Sequence, residues 1–137
     1  MPKKVSIVVL NWNGKKFLKN CLDSLTQLTY PQVEIIVVDN NSSDGSCEFI
    51  KTNYQKVILI ENKENYGFAK GNNIGFKAST GDYVLILNND TYVTSNFLSP
   101  LIKDFENNPT IACLQPQIRL SENKQLLDGV GGFLTFT

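Results

Sequence analysis

Histidine is absent from all 137 residues of this chain. Without it, the chain has no catalysis by a serine–histidine or cysteine–histidine pair and no metal site built on imidazole. The three cysteines are widely spaced and include no CxxC pair, so neither a zinc site nor a redox pair is expected. A general base must therefore be a carboxylate, and a metal ion must be bound by oxygen atoms, which suit Mg²⁺ or Mn²⁺.

An excess of one charge and long apolar runs are missing as well. Lysine and arginine total 13, as do aspartate and glutamate, so no basic surface attracts nucleic acid and no nucleic-acid partner is expected. The apolar run at residues 5–10 is too short for a signal peptide core or a transmembrane helix. These absences predict a cytoplasmic chain in which any nucleotide is held by a local site.

Apolar runs alternate with helical spacings along the chain. Runs of β-branched and aliphatic residues predict strands over residues 5–10, 33–38, 57–60, 83–87 and 111–114. Apolar residues at helical spacing predict helices over residues 17–28, 47–50, 65–78 and 97–105. Continuous apolar strands separated by helices are typical of an α/β fold with a mostly parallel sheet covered on both faces. The length allows one compact domain over residues 1–137.

Polar clusters directly follow three of the predicted strands. They are NWN at residues 11–13, DNN at residues 39–41 and NND at residues 88–90. Right-handed crossovers place the carboxyl ends of parallel strands at one edge of the sheet, and open sheets bind their ligands at that edge. We therefore expect the three clusters to converge on one site.

Two of these clusters allow both a functional and a structural interpretation. Asp39 either shapes a loop or accepts an N–H from the edge of a pyrimidine. Residues 88–90 either form a turn or hold the divalent ion that diphosphate chemistry requires, with Asp90 and nearby amide oxygens as ligands.

Glycine-rich motifs for dinucleotides or a P-loop are absent after the first strand. Gly67, Gly71 and Gly75 either approach a phosphate or let a helix pack closely on the sheet. Asp44, within the sequence SSDGS, is predicted to cap a helix.

Four segments, in order, resemble the signature of family 2 glycosyltransferases. They are VSIVVLNWNG at 5–14, VVDNNSSDG at 37–45, NYGFAKGNNIG at 65–75 and GDYVLILNNDT at 81–91. The resemblance covers almost the whole chain and is strongest to the bacterial branch that includes rhamnosyltransferases. It implies a GT-A fold, a Rossmann-like three-layer sandwich with a mostly parallel central sheet. Residues 1–137 would be its nucleotide-sugar-binding portion, truncated so that most of the acceptor half is missing.

The activity that the resemblance implies is sugar transfer with inversion. The donor would be a UDP- or dTDP-sugar, the acceptor a saccharide or lipid-linked saccharide, and the context the synthesis of a cell-surface polysaccharide. A divalent metal, Mn²⁺ or Mg²⁺, is implied as cofactor. The implied location is the cytoplasm at the inner face of the membrane, and peripheral membrane association through regions outside this chain is a further expectation.

The resemblance also assigns nucleotide-binding residues by position. Asp39 would bind the base, with Asn11 and Asn13 lining the same pocket. Lys70 matches the basic residue of the glycine-rich segment and would reach the base or the phosphates.

The segment that corresponds to the family's Asp-x-Asp motif is Asn88-Asn89-Asp90. Asn88 and Asn89 are expected at the nucleotide, and Asp90 is expected as the metal ligand. Asn88 replaces the first carboxylate of the motif, which puts tight metal binding without donor in question. No later carboxylate matches the family's general base, so the base is expected beyond Thr137 and this chain alone is expected to be inactive.

Two other functions stay open at this point. One is a nucleotidyltransferase, although such enzymes carry a glycine-rich basic loop that residues 11–16 do not match. The other is a nucleotide-binding module without catalysis.

Overall fold

The computed structural model describes residues 1–123 and 125–129, and the chain divides into two compact units, Met1–Phe97 and Leu98–Thr137. The first unit contains the sheet and every residue predicted for the site. The described part of the second unit consists of one helix and a small hairpin.

Four parallel strands form the sheet of the first unit, in the order β3-β2-β1-β4. They are β1 (Val5–Asn11), β2 (Val33–Asp39), β3 (Ile58–Glu61) and β4 (Tyr83–Asn88). The central strands β1 and β2 carry fully buried β-branched residues, among them Val8, Val9 and Val37. Burial on both faces is what continuous apolar strands require, and the predicted parallel sheet is confirmed.

Three helices cover the sheet: α1 (Lys15–Thr26), α2 (Ser46–Asn53) and α3 (Gly67–Ala78). The chain moves outward from β1 to β3 through α1 and α2, then returns through α3 to β4 on the other side of β1. Right-handed crossovers therefore place α1 and α2 on one face and α3 on the other. Tyr54 at the end of α2 donates a hydrogen bond of 2.8 Å to Asp23 of α1, which joins the first two helices.

Helix α3 lies unusually close to the sheet. A Cβ atom at Gly71 would lie 2.4 Å from Cδ1 of Leu10, and one at Gly75 would lie 2.3 Å from Cγ1 of Val8. Side chains at these two positions would push the helix away from the sheet. For Gly71 and Gly75, close packing is therefore the explanation that the structure supports.

The second unit contains α4 (Leu98–Asn107) and an antiparallel pair, β5 (Ile118–Arg119) with β6 (Leu127–Gly129). The strand predicted over residues 111–114 is wrong, because that segment has no regular pairing. Pro116 lacks an N–H to donate, and pairing begins only after it. Among the described helices of the chain, none is long and apolar enough to cross a membrane.

Two boundaries and one buried position also differ from the sequence prediction. The third strand begins at Ile58 rather than residue 57, and α1 ends at Thr26 rather than near residue 28. Phe17 is 40% exposed, although it was predicted on the apolar face of α1. It lies about 100° around the helix from Leu18 and one turn before Cys21, at the margin of the buried row, where its ring lies under the ammonium of Lys16.

Candidate functional site

The carboxyl ends of β1, β2 and β4 meet through side-chain amides. Asn11 is buried at the end of β1 and donates from Nδ2 to Oδ2 of Asp39, at 2.8 Å. Its Oδ1 accepts a hydrogen bond from Nδ2 of Asn89, at 2.7 Å. One amide thus joins three strand ends, and the predicted convergence of the polar clusters is confirmed.

Gly14 makes room for this junction. A Cβ atom at that position would lie 2.1 Å from Nδ2 of Asn89 and 2.6 Å from Oδ1 of Asn11. Any larger residue would therefore separate the two amides. The requirement links the turn before α1 directly to the loop after β4.

Asp39 is almost fully enclosed, with 1% of its surface exposed. Its Oδ1 accepts from the backbone N–H of Ser42 at 2.8 Å, while Oδ2 accepts from Asn11. The half-buried thiol of Cys47 also contacts it, and burial together with Asp39 and Glu61 raises the pKa of that thiol to about 12. Asp39 therefore shapes the loop after β2, and its contact with nucleotide remains a prediction.

Asn13 and Asp44 stabilise the loops that follow β1 and β2. Asn13 has a positive φ of 49° and accepts the backbone N–H of Ser43 at 2.8 Å. Asp44 accepts the backbone N–H groups of Lys15 and Ser46 at 2.8 and 3.0 Å, at the starts of α1 and α2. Burial opposes ionisation of Asp44, but a hydrogen bond from the hydroxyl of Ser46, together with these N–H groups, outweighs it and lowers its pKa. Asp44 therefore satisfies the first N–H of both helices, although the N-cap residues themselves are Gly14 and Gly45 rather than Asp44.

An open cleft of about 330 Å³ lies beside this junction. Its described lining contains amides, aliphatic groups and two aromatic rings, and no charged side chain: Leu10, Trp12, Asn40, Asn65, Gly67, Phe68, Asn88 and Asn89. Trp12 and Phe68 are 58% and 64% exposed, so large flat surfaces face solvent. Flat rings with amide donors and acceptors suit a planar heterocycle that carries polar edges.

Asn40 is the buried anchor of the cleft. Its Nδ2 donates to Oδ1 of Asn65 and to the carbonyl of Gly67, both at 3.1 Å. Its Oδ1 accepts from Nδ2 of Asn62 at 2.8 Å. These bonds hold the loop between β3 and α3 against the end of β2, which positions that side of the cleft.

The sequence assigned no individual role to four of the cleft residues, two of which (Trp12 and Asn40) lie within the polar clusters expected at this edge: Trp12, Asn40, Asn65 and Phe68. Trp12 offered the clearest signal, since a tryptophan inside a polar loop has no core to fill. The indication for Asn40 in the sequence was weaker, because the charged neighbour Asp39 is the more obvious candidate for binding. Successive side chains of a strand point to opposite faces, so Asn40 faces away from Asp39.

The loop after β4 is the most exposed part of the site. Asn88 and Asp90 are exposed, and the N–H of Thr91 donates to the carbonyl of Asn88 at 3.2 Å, closing a turn. Cys21 lies beneath this turn, and burial, with a smaller contribution from the Asp90 charge, raises the pKa of its thiol to about 12. Among the described residues, no group of three or more acidic or cysteine side chains could enclose a metal ion. Asp90 is thus a single exposed carboxylate, flanked by an amide.

Lys70 lies apart from these residues. Its ammonium sits 3.6 Å from the ring centroid of Tyr66, on the exposed side of α3, and it is not among the residues that line the cleft. The structure therefore brings together Asn11, Asp39 and Asn89 but not Lys70.

Comparison with known proteins agrees with this geometry. The model of glycosyl transferase family 2 matches residues 6–128. A poly(ribitol-phosphate) β-glucosyltransferase of Bacillus spizizenii is 36% identical over 101 residues, covering 69% of this chain and 16% of that protein.

Solved structures show the same fold. A TarS fragment of Staphylococcus aureus in complex with UDP-GlcNAc has a TM-score of 0.70 at 26% identity, covering 76% of this chain and 31% of that one. The mannosyltransferase PcManGT of Pyrobaculum calidifontis, in complex with GDP-Man and Mn²⁺, has a TM-score of 0.72 at 25% identity, covering 81% of this chain and 34% of that one. The fold is therefore that of the GT-A glycosyltransferases. The chain spans 15% of the length of one curated relative that it matches and 36% of another.

Proposed function

This chain belongs to family 2 of the glycosyltransferases, and from that premise we propose that its cleft binds the nucleotide end of a nucleoside-diphosphate sugar. The observation that carries the proposal is the neutral cleft between Trp12 and Phe68 at the carboxyl edge of the sheet. A nucleobase is flat and has polar edges, so it matches aromatic rings surrounded by amides. Two solved relatives contain UDP-GlcNAc and GDP-Man, which supports this class of ligand.

The residues around the cleft have different proposed roles in binding. The ring of Trp12 stacks on the base, because it is exposed and lines the cleft. Asn11 and Asp39 hold the strand ends in register, and Asn13 holds the adjoining loop. Charge on the diphosphate would draw Lys70 away from Tyr66 toward the ligand.

The diphosphate would lie at the turn formed by Asn88, Asn89 and Asp90. Carboxylate and amide oxygens are hard donors, so this turn fits Mg²⁺ or Mn²⁺, and a single carboxylate fits a weak site completed by the donor's phosphates. When bound, the ion neutralises charge on the leaving diphosphate. The solved mannosyltransferase contains Mn²⁺, which supports this choice of cofactor.

For the whole protein we propose inverting transfer from a UDP- or dTDP-sugar to a saccharide or lipid-linked acceptor of a cell-surface polysaccharide. The relative that acts on poly(ribitol-phosphate) supports a polymeric acceptor of this kind. The carboxylate that deprotonates the acceptor hydroxyl is proposed to lie outside these residues. The proposed location is the cytoplasm, at the inner face of the membrane.

The test uses the chain's only tryptophan as a reporter. UDP, dTDP and GDP, each with Mn²⁺ or Mg²⁺, should quench Trp12 fluorescence in a saturable way, with the same dissociation constant by calorimetry. Trp12→Ala should weaken nucleotide binding by about 1–3 kcal/mol, the usual contribution of one base–aromatic stack. Trp12→Phe, which keeps a ring, should bind nearly as well as the parent. Absence of calorimetric binding for all three nucleotides with both metals would refute the proposal.

A further inference from the structure

Asn89 is the middle residue of the turn that follows β4, and its side chain is used differently from those of its two neighbours. Asn88 and Asp90 are exposed, whereas Asn89 is half-buried. Its Nδ2 donates to Oδ1 of the fully buried Asn11 at 2.7 Å. The amide of Asn89 is thus directed at the end of β1, while the residues on either side of it are open to solvent.

The direction of the Asn11 amide is set by its partners on the other side. Nδ2 of Asn11 donates to Oδ2 of Asp39 at 2.8 Å and to the hydroxyl of Ser42 at 3.2 Å. A carboxylate has no N–H to donate, so Asp39 is satisfied only by the nitrogen of Asn11. The oxygen of Asn11 therefore faces the loop after β4, and residue 89 must offer a donor there.

An acidic residue at position 89 would disrupt this order of donors and acceptors. Its carboxylate would lie against Oδ1 of Asn11, and turning the Asn11 amide over would place that oxygen against Asp39 instead. Gly14 leaves little space for another arrangement, since a Cβ atom there would lie 2.1 Å from Nδ2 of Asn89. A buried acceptor without a donor is costly, so a donor at position 89 is strongly preferred.

The turn that Asn89 anchors is short. The N–H of Thr91 donates to the carbonyl of Asn88 at 3.2 Å, and the sulfur of the buried Cys21 lies 4.0 Å from the same oxygen. Asp90 lies inside this turn, directly after the anchored residue. A displacement of Asn89 would therefore move the carboxylate of Asp90.

We propose that Asn89 is a positioning residue: its amide, ordered through Asn11 by the carboxylate of Asp39, holds the turn in which Asp90 binds the divalent ion of the nucleotide complex. This inference rests on the proposed function, and it requires no contact of the Asn89 side chain with the ligand. It has an unusual consequence. A negative charge at position 89 weakens cation binding by the neighbouring residue, although direct attraction between the charges would strengthen it.

The experiment compares the same added charge at two neighbouring positions. Calorimetry with UDP, with and without Mn²⁺, gives the metal-dependent part of the affinity for the parent, Asn89→Asp and Asn88→Asp. Asn89→Asp should lose on the order of tenfold in that part, because the turn is displaced. Its thermal unfolding midpoint without ligand should fall by about 5 °C. Asn88→Asp, the matched control, should keep the parent's midpoint and gain affinity.

The double variant that combines Asp39→Asn with Asn89→Asp reverses each donor and acceptor along this series of bonds. The new amide at position 39 can still accept from Ser42, and it can donate to Oδ1 of Asn11, whose nitrogen then faces the new carboxylate at position 89. Asp39→Asn alone should lower the unfolding midpoint, whereas the double variant should recover both the midpoint and the metal-dependent part of the affinity. Such rescue is not expected of a residue that only fills space.

Three results would overturn the inference. Asn89→Asp could strengthen the metal-dependent part as Asn88→Asp does, it could leave that part unchanged, or the double variant could stay as weak and as unstable as Asn89→Asp. If Asn89→Asp does not fold, the double variant still decides, because it must fold and bind like the parent. Absence of UDP binding by the parent itself would instead refute the proposed function.

Discussion

The two ends of the parallel sheet both collect polar side chains, but they use them differently. At the amino end, Glu34 of β2 accepts hydrogen bonds from the hydroxyl of Ser6 at 2.5 Å and the N–H of Thr80 at 2.7 Å, and it pairs with the ammonium of Lys4 at 2.6 Å. At the carboxyl end, Asp39 of the same strand accepts hydrogen bonds from neutral groups, the amide of Asn11 and the N–H of Ser42.

The difference between the two ends of the sheet indicates which end can accept a ligand. At the amino end, the carboxylate of Glu34 forms an ion pair with Lys4 and accepts hydrogen bonds from Ser6 and Thr80. At the carboxyl end, the cleft is lined by neutral amides and exposed rings, and Asp90 projects into solvent. A cluster of polar residues beside a strand is thus a weak sign of function by itself. Exposed side chains that line a cleft are the stronger sign.

The largest expected effect tests the carboxyl end through Asp90→Ala. Loss of the single exposed carboxylate should remove the metal-dependent part of UDP affinity, about 3 kcal/mol, which is about 100-fold in the dissociation constant. Calorimetry with and without Mn²⁺ measures that part. Asp82→Ala is the control, since Asp82 is an exposed aspartate at the other end of β4, bound to Lys3 and Lys4. Unchanged metal dependence in Asp90→Ala would rule out Asp90 as the ligand.

A second effect tests the amino end by pH. Burial alone would raise the pKa of Glu34, but its bonds to Lys4, Ser6 and Thr80 prevail and lower it from 4.5 to about 2. Because the pKa is depressed in the folded chain, the stabilisation is complete above pH 4.5 and is lost as pH falls toward 2. Its size is at most about 3 kcal/mol.

Urea unfolding of the parent and of Glu34→Gln, followed from pH 7 to pH 3, measures this stabilisation. The stability difference between the two should be largest near neutral pH and shrink below pH 4.5. A difference that stays constant through this range would contradict the assigned pKa.

The third prediction distinguishes the roles of the two carboxylates of β2, Asp39 and Glu34. Asp39→Ala should weaken UDP binding by about 1–3 kcal/mol, because it leaves the Asn11 amide without its partner at the site. Glu34→Ala should lower the free energy of unfolding and leave UDP affinity nearly unchanged. Paired calorimetry and urea titrations distinguish these results. Equal UDP affinity for Asp39→Ala and the parent would make Asp39 a loop residue only.

The smallest expected effect is a gain at the carboxyl end. Asn88→Asp restores a second carboxylate beside Asp90 and should tighten Mn²⁺ binding by about 1 kcal/mol, the size of one solvent-exposed charge interaction. Titration of Mn²⁺ in the presence of UDP measures it. Asn65→Asp adds the same charge at another cleft position and should give a smaller gain. An equal gain in both variants would point to general charge rather than to a ligand position.

The sequence alone was enough to predict the order of strands and helices in the first unit and the edge of the sheet at which the polar clusters meet. Apolar periodicity is a local property, and parallel strands with right-handed crossovers leave little choice of topology. It was also enough to predict that Asn11, Asp39 and Asn89 meet, because each follows directly from the end of a strand. It failed at residues 111–114, where an apolar run found no partner for pairing.

Tertiary structure decided which way the side chains at those strand ends point. Asp39 and Asn40 are neighbours in sequence, yet Asp39 turns toward Ser42 and Asn40 turns toward the loop before α3. The ammonium of Lys70 lies over the ring of Tyr66, and Oδ1 of Asn72, a buried residue of α3, has no hydrogen-bond partner. The sequence by itself determined the edge of the sheet at which the polar clusters meet. Only packing determined which polar atoms there are satisfied, since that depends on contacts between residues far apart in the chain.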